Sequence, residues 1–182
     1  MKSILVFGST GHAGRAIVRV LLSKGYSVTA VARQEAKARV LLPDVHHIIE
    51  ADATRSETLQ DICSGQDVII SALGKSVSPN DWSRPGFEEV DLQANLNILS
   101  EAQKAGVQQF IYISAFWAEK LRRLTYFRVH DDVSQALMKS GLTYAVVQPP
   151  AIMSSFIDLA DMAKRGLLVT IGQGEYRTNP IS

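Results

Sequence analysis

Three glycines near the N-terminus have the spacing of a phosphate-binding turn. Gly8, Gly11 and Gly14 follow one another at intervals of three residues. In such a turn one glycine permits the tight bend, another lets the backbone approach a pyrophosphate, and a third permits close helix packing. The first amides of the helix stabilise the anion. The alternative is a glycine-rich turn without a ligand. We predict dinucleotide binding by Gly8, Ser9, Thr10, Gly11, His12, Ala13, Gly14 and Arg15.

The glycine turn stands between a predicted strand at residues 4–7 and a predicted helix at residues 13–24, the context that dinucleotide binding requires. Short β-branched runs and longer helical patterns alternate along the rest of the chain. Further strands are predicted at residues 26–31, 45–50, 67–72, 110–114, 143–147 and 167–171, and further helices at 35–42, 56–63, 87–105, 126–139 and 155–164. This alternation predicts an α/β fold of Rossmann type, with a doubly wound, mostly parallel sheet flanked by helices.

Length and composition restrict the classes of protein that remain. The 182 residues suit one NAD(P)-binding domain, residues 1–182, whose end is either trimmed or short because it finishes on a turn. Nineteen basic against 18 acidic residues, scattered along the chain, indicate neither a nucleic-acid nor a membrane partner. The single cysteine, Cys63, allows no internal disulfide and no metal cluster, so we expect no metal and a reducing, cytoplasmic location.

The end of the second predicted strand indicates which dinucleotide binds. NAD sites usually have an acidic residue there, which binds the 2′-hydroxyl of the adenosine ribose. The strand instead ends Val-Ala-Arg-Gln at residues 31–34, and the first acid is Glu35. Arg33 can pair with a 2′-phosphate, and Arg15 in the first helical turn can add a second cation. We therefore expect NADP(H) to be preferred over NAD(H); the alternative is that both arginines are solvated surface charges.

The glycine spacing, with Ser-Thr-Gly inside it, resembles that of extended and atypical short-chain dehydrogenase/reductases, most of all the NmrA-like and biliverdin reductase B-like NAD(P)-binding proteins. The resemblance covers nearly the whole chain. Its other motifs are Asp52 after the third strand, Ser-Ala-Leu-Gly at 71–74, Gly-Phe-Glu-Glu-Val-Asp at 86–91, Ala-Gly-Val at 105–107, Phe-Ile-Tyr-Ile-Ser at 110–114 and Ser-Gly-Leu-Thr-Tyr at 140–144. It implies that Asp52 meets the adenine edge, although Asp52 could equally just close a strand. We also expect the backbone at the end of the fourth strand to approach the cofactor, at Ala72, Leu73 and Gly74.

The same resemblance implies where catalysis would occur. Reductases of this kind keep a serine after the fifth strand and a Tyr-x-x-x-Lys motif on the following helix. Ser114 and Tyr126 occupy the first two positions, and His130 stands where the lysine is expected. Residues four apart share a helical face, so Tyr126 and His130 could reach the same ligand. Because histidine is only partly charged near neutral pH, Tyr126 is a weaker general acid than a lysine-activated tyrosine.

These positions also carry implied contacts with the cofactor. Ser114 would orient the nicotinamide or the acceptor, and His130, with Tyr126, would hold the nicotinamide ribose or relay a proton. Pro149 lies in a stretch that resembles the biliverdin reductase B-like branch and is expected near the cofactor. Each side chain has a structural alternative. Ser114 could simply end a strand, Tyr126 could be an ordinary amphipathic residue, and His130 could be a solvated helix residue beside two acidic neighbours.

Three functions follow from these residues. The favoured hypothesis is an NADP(H)-binding oxidoreductase that passes hydride to a small, flat acceptor such as a flavin or quinone. Aromatic residues in the loops after the fourth and fifth strands could stack on that acceptor or form small loop cores; they are Trp82, Phe87, Phe116 and Trp117. A second hypothesis is a non-catalytic NADP(H) sensor with a protein partner, which the missing lysine favours. A nucleotide-sugar epimerase or dehydratase is weaker, because it needs the lysine-activated tyrosine and a C-terminal substrate domain that these residues do not provide.

Overall fold

Six parallel strands make up the sheet in the computed structural model, which describes residues 2–76, 84–152, 160, 163–166 and 180–181. They are β1 (Ser3–Phe7), β2 (Ser27–Ala32), β3 (His47–Glu50), β4 (Val68–Ser71), β5 (Gln109–Ile113) and β6 (Thr143–Val147). Their spatial order is β3-β2-β1-β4-β5-β6, and every neighbouring pair is parallel. The α/β, doubly wound sheet predicted from the sequence is therefore confirmed.

Helices cover both faces of this sheet. The described residues form α1 (His12–Ser23), α2 (Glu35–Leu41), α3 (Ala94–Lys104) and α4 (Thr125–Met138), with a 3₁₀ turn at Ser56–Leu59 and a π-helical turn at Glu88–Gln93. Successive strand residues point to opposite faces. On one face Val6 packs in a core cluster with Val18 of α1. On the other face Phe7 packs in a cluster with Ile98 of α3 and Leu137 of α4. None of the helices in the described part of the chain is long and apolar enough to cross a membrane.

Two predicted helices differ from the expectation in kind. Where a helix was predicted at residues 56–63, the structure has a 3₁₀ turn that ends at Leu59. The hydrogen bonds of 3₁₀ structure have poor geometry, so such turns rarely continue beyond four residues. The helix predicted at 87–105 begins as the π-helical turn and becomes α-helical only at Ala94. The other predicted elements that fall on described residues agree with the structure to within two residues at each end. Most of the predicted helix at 155–164, the predicted strand at 167–171 and Trp82 lie outside the described residues.

The order of the strands produces a crevice between β1 and β4. From β1 the chain continues outward through β2 and β3 on one side, and from β4 through β5 and β6 on the other. Doubly wound sheets bind ligands at the carboxyl ends of the strands, where the strand order reverses in this way. Gly8 follows β1 and Ala72 follows β4, so both residues border the crevice.

Candidate functional site

A cavity of about 360 Å³ opens at the carboxyl ends of β1 to β4. Its walls come from the glycine turn after β1, the end of β2, and the segments that follow β3 and β4, with further contributions from Arg84, Pro85 and Val90. The sequence-predicted site residues that line it are Gly8, Thr10, Gly11, Arg33, Asp52, Ala72, Leu73 and Gly74. Segments far apart in the sequence thus converge where the strand order reverses.

The glycine turn is closed by contacts that leave no room for two side chains. Gly8 has φ +70°, and a Cβ at this position would lie 2.4 Å from the carbonyl oxygen of Ala72. A Cβ at Gly14 would lie 2.1 Å from the carbonyl oxygen of Gly8, so α1 can approach the turn only through a glycine. Gly11 is exposed, and its N–H donates to the same oxygen at 3.0 Å. Gly8 and Gly14 therefore serve the packing of the turn, whereas Gly8 and Gly11 border the cavity, where a ligand can approach them.

The other residues of the turn divide between the sheet and the cavity. Thr10 lines the cavity, whereas Ser9 is fully buried and donates its hydroxyl to the carbonyl oxygen of Val31 at 2.7 Å. This hydrogen bond fixes the turn to β2. His12 is exposed, and its Nδ1 lies 3.4 Å from Nη2 of Arg15. The predicted turn residues outside the described lining of the cavity are Ser9, His12, Ala13, Gly14 and Arg15.

Arg33 and Asp52 border the part of the cavity formed by β2 and β3. Arg33 is exposed just after β2 ends. The Asp52 carboxylate accepts hydrogen bonds from the N–H and the hydroxyl of Thr54, at 3.1 and 2.8 Å, so a tight turn holds it at the edge of the cavity. Two further basic residues, Lys75 and Arg84, also line the cavity. The three basic side chains among the described lining residues favour an anionic ligand, such as a dinucleotide.

Two buried side chains hold the segment after β4 in place. Asn95 donates its Nδ2 to the carbonyl oxygens of Leu73 and Asp91, at 3.3 and 2.8 Å, and its Oδ1 accepts the hydroxyl of Ser71 at 2.5 Å. The Asp91 carboxylate accepts the N–H of Lys75 at 3.1 Å. Both Asn95 and Asp91 are completely buried. This wall of the cavity is therefore anchored by the π-helical turn and the start of α3.

The side chains predicted to be catalytic lie around β5 and α4. Ser114 is buried, and its Oγ lies 3.4 Å from the Oγ of Ser134 on α4. Tyr126 and Pro149 are half-buried. Among the described residues that line the cavity, none is Ser114, Tyr126, His130 or Pro149. Their roles toward the cofactor and the acceptor stay predictions.

His130 is buried on α4, and both of its ring nitrogens face protein groups. Nδ1 lies 2.6 Å from the hydroxyl of Tyr112 on β5, and Nε2 lies 3.4 Å from Oδ1 of Asp91. The ring packs edge-on against Tyr126 with 4.6 Å between centroids, so these two residues do share a helical face. Burial lowers the pKa of His130 to about 4, and the imidazole is therefore neutral at pH 7.

The surroundings of Tyr126 keep its phenol protonated. Burial and, after it, the nearby carboxylate of Asp91 raise the pKa of Tyr126 to about 12. Burial also raises the pKa of Asp91 to about 7. The hydrogen bond from the Lys75 N–H acts in the opposite direction, because it stabilises the ionised carboxylate. Since His130 is neutral, it does not supply the cation that would lower the pKa of the phenol. The site can offer a phenolic proton, but it cannot form a tyrosinate base near pH 7.

The aromatic residues that were predicted to stack on an acceptor have different surroundings. Phe116 and Trp117 stack on each other with 4.8 Å between centroids, and they are 42% and 48% exposed. The Nζ of Lys120 lies 5.1 Å from the Trp117 ring. Phe87 instead packs edge-on against Tyr126, with 5.6 Å between centroids. Of the three members that the structure describes, Phe116 and Trp117 are therefore the two that have an exposed ring surface.

The charged residues Lys75 and Arg84 line the cavity and Asp91 lies behind its wall, and none of the three was predicted as a site residue. The sequence signal for Asp91 is an acid on the apolar side of the predicted helix at 87–105, in register with Ile98. The signal for Lys75 and Arg84 is weaker, since they are merely two cations in the loop after the fourth strand. Only the three-dimensional arrangement shows that this loop borders the glycine turn.

Comparison with known proteins identifies a family and several relatives. Residues 8–165 match a family described as NAD(P)H-binding. The photosystem II assembly factor Ycf39 of Cyanophora paradoxa is 32% identical over 144 residues, covering 79% of this chain and 44% of that protein. The chloroplastic divinyl chlorophyllide a 8-vinyl-reductase of Cucumis sativus is 28% identical over 205 residues, covering 99% and 46%. The chain spans about half the length of these curated relatives.

Solved structures share the fold at lower identity. The NADPH-dependent quinone oxidoreductase QOR2 of Escherichia coli, in complex with NADPH, aligns with a TM-score of 0.72 at 20% identity, covering 90% of this chain and 54% of that one. The Bordetella bronchiseptica enzyme WbmH, in complex with NAD+, aligns with a TM-score of 0.76 at 16% identity, covering 91% and 64%. Both dinucleotides occur among these neighbours, so the likeness does not distinguish NADP(H) from NAD(H).

Proposed function

The chain belongs to the NAD(P)H-binding family, and from this membership we propose that it is a reductase that transfers hydride from NADPH to a small, flat acceptor such as a flavin or a quinone. The cavity at the carboxyl ends of β1 to β4 carries the proposal, because it combines the glycine turn, a cationic border and an anchored wall in one crevice. The names of two similar proteins, a quinone oxidoreductase and a chlorophyllide reductase, support reduction as the reaction. The hydride chemistry itself belongs to the dinucleotide.

Arg33 supports NADP(H) as the preferred cofactor. Its guanidinium stands beside the cavity just after β2, where an NAD site usually has a carboxylate. A guanidinium can pair with the two charged oxygens of a 2′-phosphate, which NAD(H) lacks. The nearest acid in sequence, Glu35, begins α2, and its N–H donates to Glu50 at 2.8 Å. Arg15 lies outside the described lining and is proposed as a second, more distant cation.

A flat, conjugated acceptor suits a site whose tyrosine is not activated. Such an acceptor takes up hydride without a base, and the proton that follows can come from the Tyr126 phenol or from water. Oxidation of an alcohol needs a base, and neutral His130 leaves Tyr126 protonated. A nucleotide-sugar epimerase or dehydratase is therefore the weaker proposal. Ser114 would orient the acceptor or the nicotinamide, and His130 would hold the nicotinamide ribose. Both side chains are buried, so these roles require them to become accessible when ligands bind.

Oxidation of NADPH by the purified chain tests this function. The absorbance of NADPH would be followed with FMN, riboflavin and several quinones as acceptors. We expect turnover with at least one of them. Ser114→Ala and His130→Ala should each lower the rate by about 10²-fold, the usual cost of misplacing the reacting groups. Ser100→Ala, at an exposed serine of α3, is the matched control and should keep the wild-type rate. NADPH binding without turnover of any acceptor would contradict the reaction.

The second candidate is an NmrA-like sensor, a protein whose partner binding changes with bound NADP(H). The burial of Ser114 and His130 favours it, because neither side chain is among the described residues that line the cavity. The name of Ycf39, an assembly factor, supports a protein partner. Calorimetric titration with NADPH separates the two candidates when combined with the turnover assay. Tight binding and no turnover would favour the sensor.

We also propose a small-molecule acceptor as the main partner and a reducing, cytoplasmic compartment. The free, buried thiol of Cys63 supports a reducing compartment. The plant reductase that resembles the chain is named as chloroplastic, so an organelle is the competing location. Fluorescence of a tagged full-length protein in its own cells distinguishes them, and an organellar signal would contradict the cytoplasmic assignment.

A further inference from the structure

Asp91 is a buried carboxyl group that the proposed reaction does not use. It lies in the π-helical turn Glu88–Gln93, and its side chain is completely buried. π-helical turns are rare and are frequently found at functional sites. A buried carboxyl group is costly unless its oxygens accept hydrogen bonds or meet a positive charge. The contacts of this side chain therefore indicate what it does.

One set of contacts joins Asp91 to a wall of the cavity. The N–H of Lys75 donates to both carboxylate oxygens, at 3.1 Å to Oδ2 and 3.3 Å to Oδ1. Gly74 lies so close that a Cβ at that position would stand 2.9 Å from Oδ1. Gly74 and Lys75 both line the cavity, whereas Asp91 is not among the described lining residues. The carboxyl group thus holds the backbone of this wall from behind.

A second set of contacts joins Asp91 to α4 and β5. Nε2 of His130 lies 3.4 Å from Asp91 Oδ1, and Nδ1 of His130 lies 2.6 Å from the Tyr112 hydroxyl. A neutral imidazole fits this arrangement when Tyr112 donates to Nδ1 and the proton on Nε2 faces an ionised carboxylate. A proton on Oδ1 of Asp91 would weaken the contact with that Nε2–H, and a proton on Oδ2 would weaken the hydrogen bond from the Lys75 N–H. The contacts therefore suit the ionised carboxylate.

We propose that Asp91 is a positioning residue for the bound dinucleotide, and that its ionised carboxylate holds the Gly74–Lys75 wall of the cavity against α4 through His130. The inference rests on the dinucleotide site of the proposed function and assigns to it a residue outside the cavity. When the carboxylate loses its charge, the wall loses its strongest hydrogen-bond acceptor, and NADPH binds more weakly. Ionisation of Asp91 and binding of NADPH then favour each other by linkage.

The groups that surround Asp91 determine the pH at which this coupling is visible. Lys75 faces the carboxyl group from the cavity wall, Tyr112 from β5, and Tyr126 and His130 from α4. Burial raises the pKa of Asp91 to about 7. Burial also raises the pKa of Tyr112 and Tyr126 and lowers that of His130, so these three stay neutral at pH 7. Asp91 is therefore the member of this cluster whose charge changes near neutral pH.

The amide of Lys75 reports the coupling in the unmodified chain. In ¹⁵N-labelled protein its proton shift should titrate near pH 7 as Asp91 ionises. Saturating NADPH should lower the midpoint by about one pH unit, which corresponds to a tenfold preference of NADPH for ionised Asp91. NADH is the second probe, because it has no 2′-phosphate that titrates in this range. A midpoint that neither dinucleotide moves would overturn the proposal.

The amide of Ser3 is the matched control for this titration. It donates to the carboxylate of Asp67 at 2.8 Å, at the opposite end of the sheet from the cavity. The hydrogen bonds from Ser3 lower the pKa of Asp67, so this amide should titrate in the acid range. Its midpoint should be the same with and without NADPH. Equal displacement of both midpoints by NADPH would mean a general effect of the ligand and would count against a specific role of Asp91.

The Asp91→Asn variant removes the charge at almost constant volume. At pH 8 it should bind NADPH about tenfold more weakly than the wild type, the loss expected for one charge-assisted hydrogen bond. At pH 6 the difference should shrink, because wild-type Asp91 is then mostly protonated. Asp67→Asn, which also removes a hydrogen-bonded carboxylate, should bind NADPH like the wild type. Wild-type affinity of Asp91→Asn at pH 8 would overturn the proposal.

Binding is the quantity measured in both experiments. A chain that binds NADPH but reduces no acceptor would contradict the proposed reaction and leave the test of Asp91 intact. If Asp91→Asn does not fold, the Lys75 titration in the wild type still decides. The double variant Asp91→Asn/His130→Gln adds a check of the path through His130. Its loss of NADPH affinity should be smaller than the two single losses combined, because both changes break the Asp91–His130 contact, and a fully additive loss would contradict this path.

Discussion

We propose that Arg33 is the side chain that distinguishes NADP(H) from NAD(H). It is exposed and lines the cavity, so its charge can be reversed without disturbing the core. Arg33→Glu should weaken NADPH binding by about ten- to a hundredfold, the value of a charge-assisted hydrogen bond, and should leave NADH binding nearly unchanged. Dissociation constants from nicotinamide fluorescence measure both effects.

The control for this prediction is another exposed arginine. Arg19 lies on α1 outside the described lining of the cavity, and Arg19→Glu makes the same change in net charge. It should alter the affinity for neither dinucleotide by more than about twofold, because solvent and salt screen an exposed charge that does not contact the ligand. An equal loss of NADPH and NADH affinity in Arg33→Glu would exclude a specific contact with the 2′-phosphate.

Substitutions at Gly14 and Gly11 distinguish the packing of the glycine turn from its contact with a ligand. A Cβ at Gly14 would stand 2.1 Å from the Gly8 oxygen, whereas one at Gly11 would meet only that oxygen, at 3.3 Å. Gly14→Ala should therefore lower the free energy of unfolding by about 1–3 kcal/mol, the usual cost of overpacking. Gly11→Ala should melt close to the wild type and bind NADPH more weakly, because its methyl group occupies the approach of the pyrophosphate. Thermal denaturation and NADPH titration of both variants test this, and a Gly14→Ala protein as stable as the wild type would refute the packing role.

Helix α4 carries both Tyr126 and His130, and ionic contacts of unequal burial hold it in place. Arg122, just before α4, pairs with Asp131 and Asp132 in the middle of the helix, and the Asp131 side chain is only 9% exposed. Arg122→Ala would leave this carboxylate without its cation, and a buried unpaired charge is strongly destabilising. The melting temperature should fall clearly, as measured by circular dichroism.

The matched comparison for Arg122 is an arginine whose partner is exposed. Arg39 pairs with Glu35 on the surface of α2 at 2.6 Å, with 54% and 42% of the two side chains exposed. Solvent screens such a pair, and its contribution to stability is small. Arg39→Ala should therefore melt close to the wild type. Equal melting temperatures of the two variants would show that the burial of Asp131 does not matter.

Cys63 reports on the opening of the whole molecule. It is 1% exposed in the core cluster that contains Leu59, Ile69 and Ile98. Burial raises the pKa of its thiol to about 12, so almost no thiolate is present in the folded protein at pH 8. Iodoacetamide should label the native chain far more slowly than the chain in urea. NADPH at about 100 times its dissociation constant should slow labelling by up to a further hundredfold, if labelling requires unfolding.

Mass spectrometry of the labelled chain measures both rates. The chain has a single cysteine, so every added group reports on Cys63. Native labelling as fast as in urea would contradict the burial of this thiol. A rate that NADPH leaves unchanged would mean that Cys63 becomes reactive through a local opening that does not involve the cavity.

The order of strands and helices followed from the sequence alone, because it depends on local patterns. Runs such as residues 4–7 and 68–70 are apolar throughout, which indicates strands buried on both faces. The glycine turn is also local, so its place after β1 and before α1 was predicted correctly. Local patterns do not contain the hydrogen-bond geometry of a helix. The π-helical turn at Glu88–Gln93 and the short 3₁₀ turn at Ser56–Leu59 were for that reason not predicted.

Only the tertiary structure decided which side chains meet and what charge they carry. Asp91 and His130 belong to different elements, and their contact arises because the π-helical turn and α4 pack together behind the cavity wall. Burial then sets their pKa values, since desolvation penalises a charged group by an amount that composition cannot reveal. The sequence by itself determined a glycine turn on a doubly wound sheet, and it predicted that this turn binds a dinucleotide. Packing decided that Ser114 and His130 are buried, that Arg33 is exposed, and that Asp91 supports the cavity, because each of these depends on neighbours distant in the chain.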